Sequence, residues 1–177
     1  MRNFSDEKLI EIYKTTTGSQ KLKALNCLYL RYSDALKNYF FFALNYDTEK
    51  AKDFVHDTFM KIIESPEKFD TKLKFKPWIY KVASNLCKND YRKLEIIKKH
   101  KQELENRVIQ YTEIYENQRI LSEAIKKLPQ DKRALIVLRF KINLSIKEIA
   151  EIYECPEGTI KSRLFYATKE LSKLYKN

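Results

Sequence analysis

A chain of 177 residues with only two glycines, Gly18 and Gly158, and four prolines, Pro66, Pro77, Pro129 and Pro156, has few places to turn sharply. An all-β fold needs turn signals at roughly every 8–12 positions. What remains is a set of long stretches free of helix breakers, so the chain is expected to be all-α. Apolar residues make up 44% of it, enough to fill real cores. The length suits one sizeable domain or two small ones.

Helical periodicity divides the chain. Leu9, Ile10 and Tyr13 suggest a short helix capped near Ser5 and broken at Gly18. Leu22 to Leu44 reads as a longer one, with Leu25, Leu28, Tyr29, Tyr32, Leu36, Tyr39 and Phe40 apolar and Phe40, Phe41 and Phe42 assigned to the core. Asn45-Tyr46-Asp47 reads as a turn. From Glu49 to Glu64 the residues Ala51, Phe54, Val55, Thr58, Phe59, Ile62 and Ile63 follow the i, i+3, i+4, i+7 rule. A loop spans Ser65 to Lys76, and a helix runs from about Pro77 to about Leu94, with Trp78, Ile79, Val82, Leu86 and Tyr91 at least partly buried. Ile96 to Gln118 is polar and reads as a helical or partly disordered linker. Ile120, Leu121, Ala124, Ile125 and Leu128 then mark an amphipathic helix ending at Pro129. Arg133 to Phe140 is a largely buried helix that Asn143 ends.

The next stretch, Leu144 to Lys169, reads as two helices joined by a tight turn. Ser145 and Glu148 form the S-x-x-E pattern of a capping box. Ile149, Ala150 and Tyr153 put an apolar stripe on the first helix. Pro156 suits the first position of the second, with Cys155 near the cap. Ile160, Leu164, Ala167, Leu171 and Leu174 recur at helical spacing and should be buried, which leaves Thr159, Lys161, Ser162, Arg163 and Tyr166 on open faces. Short hydroxyls with Lys and Arg near a helix N-terminus suit a recognition helix in a DNA major groove. The plainer alternative is an amphipathic hairpin with an ordinary solvated face.

Net charge is +11 and the pI about 9.4, which favours a polyanionic partner over an acidic one. The charge is unevenly spread. Asp47, Glu49, Asp53, Asp57, Glu64, Glu67 and Asp70 outnumber the lysines among them, and the face bearing Asp53, His56 and Asp57 would repel DNA and suit a basic protein. From Lys72 to Lys101 the balance reverses: ten lysines and arginines meet only Asp90 and Glu95, with Phe75, Trp78, Tyr80 and Tyr91 interleaved. Rings stack on unpaired bases while cations track phosphates, so this pattern suits single-stranded nucleic acid; core rings with a solvated lysine rim give the same pattern. Three cysteines far apart argue for a reducing compartment, and neither His56 nor His100 has a partner at metal spacing. No nucleophile–base pair or glycine-rich phosphate loop is visible. No apolar run reaches the roughly twenty residues of a membrane span. A cytoplasmic protein that is not an enzyme is expected, with no cofactor, no metal and no direct membrane insertion.

Three blocks stand in a telling order: Trp78–Lys93 (WIYKVASNLCKNDYRK), Leu128–Phe140 (LPQDKRALIVLRF) and Leu144–Leu164 (LSIKEIAEIYECPEGTIKSRL). Together they closely resemble the extracytoplasmic-function (group 4) sigma factors of bacterial RNA polymerase, members of the sigma-70 family. Asp53–Phe59 (DFVHDTF) resembles that family's polymerase-binding helix in the same relative place. The resemblance covers about Leu22 to about Leu174. It implies two small helical domains joined by a polar linker: residues 1–95 as region 2, 96–117 as linker, and 118–177 as region 4, a helix-turn-helix. It implies a non-catalytic subunit that binds core polymerase, reads the −35 element as duplex and captures the −10 element as an unpaired strand. The implied partners are the largest subunits of core polymerase, promoter DNA and an anti-sigma factor.

Position by position, the resemblance assigns core-polymerase binding to Asp53, His56 and Asp57, with His56 where the family more often has Gln. It assigns −10 single-strand binding to Phe69, Lys74 and Phe75 of the loop Phe69–Lys76 and to Trp78, Tyr80, Asn85, Arg92 and Lys93 of the helix. Asn89 falls where the family commonly has Asp. It assigns −35 duplex binding to Glu157, Gly158, Thr159, Lys161, Ser162, Arg163 and Tyr166, with Tyr166 and Thr168 where the family often has Arg. The competing reading is a stand-alone helix-turn-helix regulator, which leaves the region 2 blocks unexplained.

Overall fold

The computed structural model describes the backbone of residues 1, 3–100 and 116–176, and the side chains of 1, 3–94 and 121–175. Among these residues there are only helices and turns: α1 (Asp6–Thr15), α2 (Gly18–Ala43), α3 (Thr48–Glu64), α4 (Phe75–His100), α5 (Glu116–Lys127), α6 (Gln130–Ile136), α7 (Ile146–Tyr153) and α8 (Glu157–Lys176). A 3₁₀ turn, Pro66–Lys68, precedes α4, and α6 runs on into a π-helical turn, Val137–Lys141. No helix of the described residues is long and apolar enough to cross a membrane.

Local chemistry explains the first unit's boundaries. The Ser5 hydroxyl accepts from the Lys8 amide at 3.2 Å, and Asp6 and Glu7 lie at the positive end of α1. Gly18, at φ +62, opens α2 in a conformation that costs glycine nothing. The helix therefore begins four residues before the expected Leu22, which lies on its exposed face. Tyr29, one of the apolar positions of this helix, is 44% exposed and rests on Phe59 at the rim, 4.9 Å between ring centroids. The core proper gathers Leu28, Leu36, Tyr39 and Phe40 of α2, Val55, Phe59 and Ile62 of α3, and Phe75, Ile79 and Tyr80 of α4. Between α2 and α3, Asn45 and Tyr46 take φ of 57° and 65°, two consecutive left-handed residues without a glycine. Asp47 then caps α3, accepting from the Lys50 amide at 3.0 Å.

In the second unit the capping box forms as its spacing predicts. The Glu148 amide donates to the Ser145 hydroxyl at 3.2 Å, and the Ser145 amide donates to the Glu148 carboxylate at 2.7 Å. Ile149, Ala150 and Ile152 of α7 pack with Ile160 and Leu164 of α8, while Leu171 and Leu174 lie against Leu128, Ile136 and Ala167. Glu154, at φ 52, ends α7. Pro156 sits one position earlier than expected: it precedes α8, and its carbonyl accepts from the Thr159 amide at 2.9 Å.

The two units touch. α4 lies against α7, α2 lies against α6, and one apolar cluster continues through both. α4 also extends into the expected linker as far as His100. The rest of that linker, 101–115, lies outside the described residues, as do the side chains of Lys98, Lys99, Lys101 and Ile120.

Candidate nucleic-acid interface

The acidic stripe on α3 forms as its spacing demands. Asp53, His56 and Asp57, at i, i+3 and i+4, are all exposed, and half-buried Met60 extends the stripe by one turn. The neighbouring acids Glu49 and Glu64 pair with Lys52 and Lys61, whereas among the described residues Asp53 and Asp57 have no ion-pair partner. An acidic ridge with no ion pair to break can therefore meet a basic surface directly.

The start of α4 is secured from a distance. Its Phe75 amide donates to the Glu7 carboxylate at 3.1 Å, which supplies a helix cap from another element. Partial burial works to raise the Glu7 pKa, but backbone hydrogen bonds and Lys74 outweigh it and hold the carboxyl below the usual range. Lys14 donates to the Phe69 carbonyl at 3.0 Å, pinning the preceding loop.

Three rings assigned to the single strand are instead core. Phe69 and Phe75 are 0% exposed and Tyr80 1%, so none offers a face on which a base can stack. Phe69, Phe75 and Trp78 form an aromatic triad with centroids 5.0–5.6 Å apart, and Tyr80 meets Tyr39 edge-on at 5.7 Å. The physical reason is that a short loop entering a helix between two others has its large apolar rings drawn inward, where each buries on the order of 150–250 Å². Only half-buried Trp78 retains an open edge.

That edge lines a 240 Å³ pocket. Trp78, Val82 and Leu86 supply apolar lining, Asn85 and Asn89 supply amides, and Lys61, Lys68 and Lys81 supply positive charge. It is smaller than the roughly 300–1,000 Å³ of pockets for drug-sized ligands, and so suits one planar group at a time. Of these two amides the sequence assigns only Asn85 to strand binding. Steps of four along the helix from Asn85 place Lys81 and Asn89 on the same face. Lys61 and Lys68 come from α3 and the 3₁₀ turn, and no local pattern announces them. Lys74, Arg92 and Lys93 are exposed at the two ends of this face.

On α8 the expected face is open: Glu157, Gly158, Lys161, Ser162, Arg163 and Tyr166 are exposed and Thr159 is half-buried. Arg163 and Tyr166 also border a 460 Å³ groove with Asp131, Lys132, Leu135 and Tyr153. The sequence reading missed Phe165, which is 61% exposed and meets Tyr166 edge-to-face at 5.5 Å. The signal was available, since Phe165 falls one residue off the Ile160–Leu164–Ala167 stripe. The three cysteines are free thiols, and burial pushes that of Cys87 up to about 12, which keeps it protonated and unreactive.

The described residues thus form a helical protein with a basic pocketed helix in one unit and an open helix-turn-helix in the other. Residues 28–95 match the model of "Sigma-70 region 2" and residues 124–173 that of "Sigma-70, region 4". The chain belongs to the sigma-70 family, among its extracytoplasmic-function members. It is 28% identical to the ECF RNA polymerase sigma-E factor of Haemophilus influenzae, with 92% of this chain and 91% of that one covered. It is likewise 28% identical to the ECF RNA polymerase sigma factor SigW of Bacillus subtilis, over 72% of this chain and 76% of that one. Among solved structures it resembles the sigma factor RpoE in complex with the anti-sigma factor NepR from Bartonella quintana. That likeness has a TM-score of 0.70 and 25% identity, and covers 87% of this chain and 98% of that one.

Proposed function

We propose that this protein is a non-catalytic, cytoplasmic subunit of RNA polymerase that chooses promoters by gripping them at two points. It is an extracytoplasmic-function sigma factor, binding core polymerase and directing initiation. The observation that carries this reading is the presence, in one chain and in family order, of an unneutralised acidic stripe on α3, a basic pocketed face on α4 and an open recognition helix α8.

In this reading residues 1–95 form region 2, 96–117 the linker and 118–177 region 4. Asp53, His56 and Asp57 meet basic helices of the largest core subunit. The α4 pocket takes one base flipped from the −10 strand. Flipping costs a few kcal/mol of stacking, which Trp78 and the Asn85 and Asn89 amides offset by ring and edge contacts. Lys74, Arg92 and Lys93 hold the flanking phosphates. On α8, Arg163 reads a base edge in the −35 duplex, Lys161 holds a phosphate, and Phe165 with Tyr166 offers apolar contact to a thymine methyl. An anti-sigma factor is the expected antagonist, as for the Bartonella relative.

The test is transcription in vitro from fragmented genomic DNA of the source bacterium with its purified core polymerase. Specific starts that depend on this protein are expected. Active core with neither binding nor starts would overturn the reading.

A further inference from the structure

The turn that leads into α4 is held at both ends by one helix. Lys14 donates to the Phe69 carbonyl at 3.0 Å, and the Phe75 amide donates to the Glu7 carboxylate at 3.1 Å. Glu7 and Lys14 stand two turns apart on one face of α1, about 10 Å along its axis. α1 is itself fastened to α2. Arg31 pairs with Asp6 at 2.6 Å and donates to the Phe4 carbonyl at 2.8 Å, and the Tyr32 hydroxyl donates to Asp6. Between the two anchors the buried Phe69 and Phe75 rings meet at 5.4 Å and close the neck of the turn.

Residues 70–74 stand outside this neck. Asp70 shapes them: its side chain accepts from the Lys72 amide and its carbonyl from the Leu73 amide, each at 2.9 Å. Leu73 is 56% exposed, and Lys72 and Lys74 on either side of it are exposed as well. An exposed leucine alone means little. A leucine between two cations, on a turn with a closed neck and two outside anchors, meets the needs of a wedge for nucleic acid. It offers an apolar side chain to enter a base step, charges for the phosphates beside it, and a support that does not yield. The neck also adjoins the pocket on α4, because Lys68 directly precedes Phe69 and Trp78 follows Phe75 within one helical turn.

We propose that Leu73 is a strand-opening wedge. It enters between stacked bases at the −10 element while Lys72 and Lys74 hold the adjoining phosphates, and the base so freed passes to the α4 pocket. Glu7 and Lys14 are positioning residues: they brace the turn, so that the base step parts and the turn does not fold back. This rests on the assignment of α4 and its pocket to the −10 strand.

The test uses the holoenzyme on a promoter located by the transcription assay, with 2-aminopurine in the non-template −10 strand to report opening by its fluorescence. The same promoter with a mismatched, already open −10 segment serves as the second template. Leu73→Ala should slow opening of the paired promoter about tenfold, because the wedge no longer offsets unstacking. It should bind the mismatched promoter as the wild type does. Leu73→Met, with comparable apolar bulk, should open the paired promoter at nearly the wild-type rate. Glu7→Ala should show a smaller loss, again confined to the paired promoter, and Glu7→Gln, which keeps an acceptor oxygen for the Phe75 amide, should restore opening. Should Glu7→Ala unfold the protein, Lys14→Met, altered on an exposed side chain, carries the same expectation. Wild-type opening by Leu73→Ala would overturn the wedge, as would an equal loss on both templates. Glu7→Gln no better than Glu7→Ala would overturn the brace. Asn85→Ala without effect on either template would overturn the −10 assignment itself.

Discussion

The two nucleic-acid helices of this protein are built in opposite ways. On α8 the functional face is presented by the helix itself: Lys161, Ser162, Arg163, Phe165 and Tyr166 point away from a narrow stripe of Ile160, Leu164 and Ala167. On α4 Phe75 and Tyr80, which look functional in sequence, are buried, and Trp78 keeps one open edge. The face that remains is assembled with neighbours, Lys61 from α3 and Lys68 from the 3₁₀ turn. The difference follows from burial. α8 is covered by α5, α6 and α7 along one stripe, while α4 is packed by α1, α2, α3 and α7. A recognition helix for duplex DNA needs only an exposed convex surface. A pocket for one extruded base needs walls, and walls come from other elements.

The strongest way to break this contrast is Phe75→Ala. As a core ring it should cost about 3–5 kcal/mol of stability, read as a large loss in thermal or denaturant unfolding. The matching Phe165→Ala should stay within about 0.5 kcal/mol and weaken promoter-duplex binding instead. A stable Phe75→Ala protein that failed only in DNA binding would return that ring to the interface. Next in size, the pair Asp53→Asn and Asp57→Asn should lose about 3 kcal/mol of affinity for core polymerase, measured by titration with core alone, with the fold intact. Undiminished core binding would mean the acidic stripe is only a solvated face. Arg163→Ala should cost about 2 kcal/mol in promoter recognition and leave core binding unchanged; loss of core association would reverse the assigned division of labour. The smallest effect is expected from Ser145→Ala, which removes one side of the capping box and should cost about 1 kcal/mol, a shift of about 2–4 °C in Tm. A larger loss would show that α7 depends on its cap more than on its packing.

These predictions separate what was legible along the chain from what was not. The capping box, the acidic stripe and the open face of α8 depend on spacings of three and four residues, and each appears where those spacings place it. The left-handed Asn45–Tyr46 corner was legible as a turn, but not as a partner for Arg133, 88 residues away. Tyr153 illustrates the same limit. It belongs to the apolar stripe of α7, yet what it meets is Lys88 on another unit.

The helical class, the order of the helices and the family can be read along the chain, because they rest on local periodicity, on the scarcity of glycine and proline, and on short motifs. The tertiary structure alone decided which aromatic rings of α4 are core, which lysines wall its pocket, and that the two units close on one another. Those outcomes depend on which surfaces exclude water from each other, and residues far apart in the chain settle that together.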